Sequence, residues 1–323
     1  MRGPNAGTET TMHGKWMQTL ALYAIARRGT GGFAPSHVRT AHPVEIGHVA
    51  ELASAASAHD ARAQYALGVL CLTGRTGTAA QTKCRNLLAA AAMQNHPDAC
   101  YVLALLHQNG VMMPKDAFKA AHLFQRAAKS GHARAMNALA QLMLAGNGVA
   151  RDAAGAMGLF ESAAAQGLVV AQANLGVLLL HGCAKPADIE RGLKLIASAA
   201  RDSSPEAQHY LAWLYQAGVR VPQDSAIACK WYGLAADSGK TRSQYSLAVV
   251  LLGAAPAIYD PISALKWLLV VATSRETGLQ LSAARMIDSL APRLTAGKVA
   301  IATDAAIQWL QHRAPDRMQA VLQ

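Results

Sequence analysis

The sequence predicts an all-α superhelical solenoid of helix-turn-helix hairpins, and three observations carry the prediction. The first is composition: 69 of the 323 residues are alanine while Phe, Trp and Tyr together make 5%, so the apolar mass lies in small side chains and leucine. That mixture suits closely packed helices. The second is a period of 36 residues: Ala63, Ala99, Ala135, Ala171 and Ala207, with Ser243 completing the series, are followed four residues later by Leu67, Leu103, Leu139, Leu175, Leu211 and Leu247. The third is punctuation at the same period, Gly110, Gly146, Gly182 and Gly218 followed six residues later by Asp116, Asp152, Asp188 and Asp224. A continuous heptad helix is excluded, because the recurring glycine would interrupt it.

With Ala63 as position 1, the first helix of each repeat carries apolar positions 1, 5, 8 and 9 on one face, and position 6 holds only Gly or Ala. Glycine at position 12 supplies the left-handed conformation that ends it. Asp at position 18 starts the second helix, where a carboxylate accepts from free N–H groups of the first turn. Asp260-Pro261 is the plainest case, with Pro at the first helical position. Positions 22, 25, 26, 29 and 30 form the buried stripe of the second helix, with small residues at 6, 22 and 30 for close approach and Trp231 and Trp267 at position 25 as gap fillers. Repeat 1 has Ala80 in place of the Asp, so its second helix is expected to start at Thr78 or Thr82; repeat 4 has Ser203 in place of glycine.

The ends are atypical, as capping units should be. Residues 1–42 read as an N-terminal helix and an irregular segment, 43–62 as a capping half-repeat, 63–278 as six repeats and 279–323 as capping helices, all in one elongated domain. Thr295 is the expected N-cap of a last helix on which Ile301, Ala305 and Trp309 share a face. The stretch Trp16 to Ala26 reads either as an amphipathic first helix, giving a cytoplasmic protein, or as a cleaved export signal ending in Ala24-Ile25-Ala26. The longest apolar run, Leu247 to Ile258, contains Gly253 and Pro256 and falls short of the roughly 18 residues a membrane span needs.

The registered pattern Ala-x-x-x-Leu-Gly/Ala, Gly at 12, Asp at 18 and Ala-Ala-x-x-Gly, fullest over residues 138–167 and 210–239, resembles the Sel-1-like repeat family, a relative of the tetratricopeptide repeat. The resemblance covers about residues 50–278. It also touches the closing helix common in bacterial members, with Ala296-Gly297 where Pro-Glu is usual. It implies a right-handed solenoid and a non-enzymatic adaptor, bacterial, that assembles other proteins into complexes. If the first helices line the concave side, as in related repeats, positions 3, 7, 10 and 11 point into the groove. A partner peptide or helix would then meet Tyr65, Tyr101, His209 and Tyr245 at position 3, Leu105, Gln141, Val177, Trp213 and Val249 at position 7, and Asn109 and His181 at position 11. The same apolar girth also fits inner residues that touch neighbouring repeats.

Other chemistry is sparse. Lys83, Lys119, Arg126, Lys129, Arg191, Lys194, Arg201, Lys230 and Lys266 lie on an outward stripe of the second helices, within a net charge of +11. The stripe reads as a solvated convex face, or as a surface for nucleic acid or anionic membrane, though no aromatic stacking set interleaves with it. No metal or cofactor is expected: His181, Cys183, His209 and Cys229 fall at positions 11, 13, 3 and 23, which face different ways. No HExxH, GxSxG or P-loop signature is present, so a hydrolase is the weakest reading and no catalytic residue is assigned. Five cysteines without a CxxC spacing do not make a disulfide framework; Cys71 and Cys84, at core positions 9 and 22 of one hairpin, are either two buried thiols or a bridge.

Overall fold

Helix pairs recur at the spacing of the sequence period. The computed structural model describes residues 46–73, 78–182, 186–253, 258–274 and 276–315. After α1 (Ile46–Ser57) come the six hairpins: α2 (Ala61–Thr73) with α3 (Thr78–Met93), α4 (Pro97–Asn109) with α5 (Ala117–Lys129), and α6 (Ala133–Ala145) with α7 (Ala153–Ala165). Then follow α8 (Val169–Gly182) with α9 (Pro186–Arg201), α10 (Pro205–Ala217) with α11 (Ser225–Asp237), and α12 (Thr241–Gly253) with α13 (Pro261–Ala272). The chain closes with α14 (Thr277–Leu290), a 3-10 turn (Ala291–Arg293) and α15 (Ala296–Arg313). Residues 1–45, Gly74 and Cys183 lie outside the described residues, and with them the Trp16–Ala26 segment.

The turn chemistry follows the glycine and aspartate positions. Gly110, Gly146 and Gly218 are left-handed C-caps, their N–H groups donating to the Leu106, Leu142 and Leu214 carbonyls. Asp116, Asp152, Asp224 and Asp260 are N-caps whose side chains accept first-turn N–H groups. Asp188 differs from its expected role: α9 already begins at Pro186, so this carboxylate sits inside the first turn, at the positive helix end. Proline suits a first helical position, and Pro186 moves the start two residues upstream. In repeat 1, where Asp is missing, the second helix starts at Thr78.

A second turn, between hairpins, is equally regular. At position 33 the backbone is left-handed in Asn95, Gly131, Gly167, Ser203 and Gly239, and in His59 upstream. Position 34 then caps the next first helix: Asp60, His96, His132 and Ser204 accept the N–H of Ala63, Ala99, Ala135 and Ala207. A polar residue at position 2 reaches back across this turn. Gln64, Gln208, Gln244 and Gln280 donate from Nε2 to the carbonyls of Ala56, Ala200, Ala236 and Ala272, at 3.0 to 3.2 Å. Those carbonyls belong to the last turn of the preceding helix, where no intrahelical donor is left.

Packing assigns the alanine excess to places. Positions 1, 22 and 29 are buried in all six repeats, and position 26 buries the large side chains Leu88, Phe124, Phe160, Ile196, Tyr232 and Leu268. Gly176 and Gly192 show why small residues are required: a Cβ on the first would lie 2.8 Å from the Gly192 carbonyl oxygen, and one on the second 2.9 Å from that of Gly176. The described residues divide into two compact units, one ending at Ala171 and one beginning at Gln172, each with its own core. In the second, Trp309 of α15 meets Trp267 edge to face at 5.6 Å. The face of α15 is one residue out of the expected register: Ala302, Ala306, Trp309 and Leu310 are buried, while Ile301 is 58% exposed. This helix lies beyond the repeats, so no registered counterpart fixes which side turns inward.

Candidate partner-binding face

The face defined by positions 3, 7, 10 and 11 of the first helices is built separately in each unit. In unit 1, Tyr65 stacks on His96 at 4.9 Å, and Tyr101 lies 4.7 Å from the His132 ring and 5.8 Å from Phe124. Because His132 Nδ1 accepts the Ala135 N–H, its other nitrogen is free to donate to Asp98 Oδ1, 3.2 Å away. This contact with His132 holds the Asp98 carboxyl below the usual carboxylate range. The capping histidines thus support the tyrosines of the preceding helix. Asn109 and Gln141 complete this set, both half-buried, whereas Leu105 is buried.

In unit 2 the rings interlock more tightly. Tyr210 shares a 2.7 Å hydrogen bond with His181 Nε2, and its ring lies 5.6 Å from Trp213. Burial pushes the Tyr210 hydroxyl above its ordinary pKa, so it stays a neutral hydrogen-bonding group. His209, 8% exposed, shares a 2.8 Å hydrogen bond with Ser243 Oγ of the next repeat and lies 5.3 Å from the Tyr232 ring. Burial lowers its pKa to about 3, with Lys240 and Arg242 acting in the same direction. Val177 is also buried, while Trp213, Tyr245 and Val249 are half-buried.

Of the eleven side chains expected on this face, then, Leu105, Val177 and His209 are interior, and His209 joins its hairpin to the next through Ser243. Tyr65, Tyr101, Asn109, Gln141, His181, Trp213, Tyr245 and Val249 keep partial access. Sequence reasoning missed Tyr210 because position 4 borders the core stripe. Its place one turn before Trp213 was the available signal.

The other candidate groups do not converge. His181 is engaged with Tyr210 and His209 with Ser243, and among the described residues no cluster of three or more His, Cys, Asp or Glu could hold a metal. Basic residues of the second helices are mostly exposed, with Lys119 paired to Asp116 at 3.2 Å and Lys194 to Glu190 at 2.6 Å. Two members turn inward to structural work: Arg126 bonds Asn95 and the Ala92 carbonyl, and the Lys266 ammonium lies 4.2 Å from the Trp267 ring centre. No helix among the described residues is long and apolar enough to cross a membrane.

Comparison with known proteins bears on the fold. A protective antigen of uropathogenic Escherichia coli displaying an SLR fold superposes with a TM-score of 0.73 at 21% identity, over 86% of this chain and 59% of that one. A Sel1 repeat protein from Oxalobacter formigenes gives 0.60 at 23% identity, over 73% of this chain and 99% of that one. No curated protein matches the chain. The Sel1 repeat model matches six times without a gap, at residues 61–96, 97–132, 133–168, 169–204, 205–240 and 241–269. Over these consecutive matches, which span both compact units, the chain belongs to the Sel1 repeat family.

Proposed function

We propose that this protein is a non-enzymatic adaptor of a bacterial complex-assembly or regulatory pathway, holding a peptide or helix of a partner protein on the first-helix face of unit 2. Sel1 repeat proteins are generally protein-interaction scaffolds. The observation that carries the finer reading is Trp213, half-buried beside the buried Tyr210 ring, which a hydrogen bond ties to half-buried His181. Rigid, half-exposed aromatic side chains lose little entropy when a partner covers them, which is why such residues dominate binding energies. Tyr245 and Val249 of the next repeat extend the same apolar surface.

The test is capture of partners by the wild-type chain and by the Trp213→Ala, Tyr245→Ala double variant, with helical content checked by circular dichroism. Loss of a specific partner at unchanged helicity is expected. A partner retained equally by both chains would refute this face as the site.

A further inference from the structure

The repeat register sets positions 9 and 22 on facing helices of one hairpin. In repeat 4 the contact is measurable, since a Cβ on Gly192 would lie 3.2 Å from the Leu179 Cβ. Cysteines whose Cβ atoms approach to about 3.5–4.5 Å can be bridged without moving the backbone. In repeats 2 to 6 position 22 holds only Ala or Gly, opposite His107, Met143, Leu179, Tyr215 and Leu251. Repeat 1 alone places sulfur at both positions, with Cys71 half-buried on α2 and Cys84 fully buried on α3. Both are free thiols, and the Cys71 side chain lies near enough to act on that of Cys84. Burial pushes the Cys84 thiol up to about 11, and the neighbouring Cys71 acts in the same direction, so Cys84 rests protonated at neutral pH.

We propose that Cys71 and Cys84 form an oxidisable dithiol that closes to a disulfide by exchange with a small-molecule disulfide, converting the first hairpin of unit 1 from a packed to a covalently stapled one. The more accessible Cys71 attacks first as thiolate, expelling one thiol and forming a mixed disulfide. Cys84 then attacks the Cys71 sulfur and expels the second thiol. The two cysteines give up two electrons and two protons, the external disulfide takes both electrons, and the protons end on the two released thiols. The remaining described cysteines are placed otherwise: Cys100 is buried with its sulfur 3.6 Å from the Ala92 carbonyl, and Cys229 is half-buried on α11.

Treatment of the full-length reduced chain with oxidised glutathione tests this. The expected product is a chain lighter by two hydrogens, in which tryptic peptide 63–75 is joined to the fragment Cys84-Arg85. Melting of the first unit should rise by about 5–10 °C and return to its starting value in dithiothreitol. Cys71→Ser and Cys84→Ser must each abolish the cross-link and the shift, while Cys100→Ser and Cys229→Ser leave both intact. A stable glutathione adduct on Cys71 with Cys84 still reactive after denaturation would overturn the proposal, as would a cross-link of any other pair. Should Cys84→Ser fail to fold, the wild-type peptide map decides alone.

Discussion

The two units close the joint between neighbouring hairpins with different chemistry. In unit 2 the joints are uniform: Gln208, Gln244 and Gln280 each hold an alanine carbonyl of the preceding helix. In unit 1 only Gln64 does so, and its Oε1 is also satisfied, by Gln94 at 2.9 Å. The next joints substitute Cys100 and the Arg126 guanidinium on the Ala92 carbonyl, then Met136, whose sulfur lies 3.8 Å from Gln166 Nε2. Acid-base pairs differ likewise, Asp98 with His132 in unit 1 and Glu206 with Lys240, 3.1 Å apart, in unit 2. One backbone design thus tolerates several polar solutions, provided the exposed end of each helix is met. The cost is visible in unit 2, where the Oε1 atoms of Gln208 and Gln244 are buried with no partner.

The sharpest break between the units should come from glycine. Gly176→Ala drives a methyl group against the Gly192 carbonyl and the Ile196 side chain, whereas Gly68→Ala meets only atoms of Leu88, chiefly the end of its side chain. A rigid backbone cannot yield as a leucine tip can, so the first is expected to cost up to about 3 kcal/mol and the second clearly less. Urea denaturation of the two variants measures the difference.

Acid should separate the units next. His209 is neutral when folded, with a pKa near 3 against about 6.5 unfolded, so below pH 6.5 the unfolded chain binds a proton that the folded chain refuses. Stability is therefore complete above pH 6.5 and falls by up to about 1.4 kcal/mol per pH unit as the pH drops toward 3. Hydrogen exchange in α10 to α12 should quicken over that range, and His209→Gln should flatten the response. Unit 1 carries a milder counterpart in half-buried His107, lowered first by burial. Its Asp98–His132 pair keeps its contribution until the pH falls through the depressed Asp98 pKa.

The smallest effect is a gain. Ser238 stands thirty residues after Gln208, as Gln94 does after Gln64, so Ser238→Gln should present an amide to the unpartnered Oε1 of Gln208. A stabilisation of about 1 kcal/mol is expected, visible as a higher urea midpoint with an unchanged slope. No gain would mean that the difference between the units at this joint lies in backbone placement and not in the missing donor.

Most of the fold was legible because the glycine and the aspartate at the helix ends each recur in five of the six repeats. Glycine at position 12 and aspartate at position 18 carry a local conformational demand that no tertiary contact overrides, except where Pro186 offered an earlier start. The glutamine series was equally visible in the sequence, but a polar residue beside the core stripe acquires meaning only when the carbonyl opposite it is known. The candidate face was legible in direction and not in depth. A helical wheel places His209 and Trp213 on one side, yet whether each is covered depends on contacts from the neighbouring repeats, Ser243 on His209 and His181 on the Tyr210 ring beside Trp213. Ile301 failed for the opposite reason, being in a helix that no longer repeats anything.

Among the described residues, the helices that pack most extensively on one another are consecutive in the chain or separated by a single helix. No helix must therefore wait for a distant segment before it finds its neighbour, and the loops to be closed on the way to the native state are short. Folding of each unit should be rapid for its length and able to start at any hairpin, with growth toward both sides.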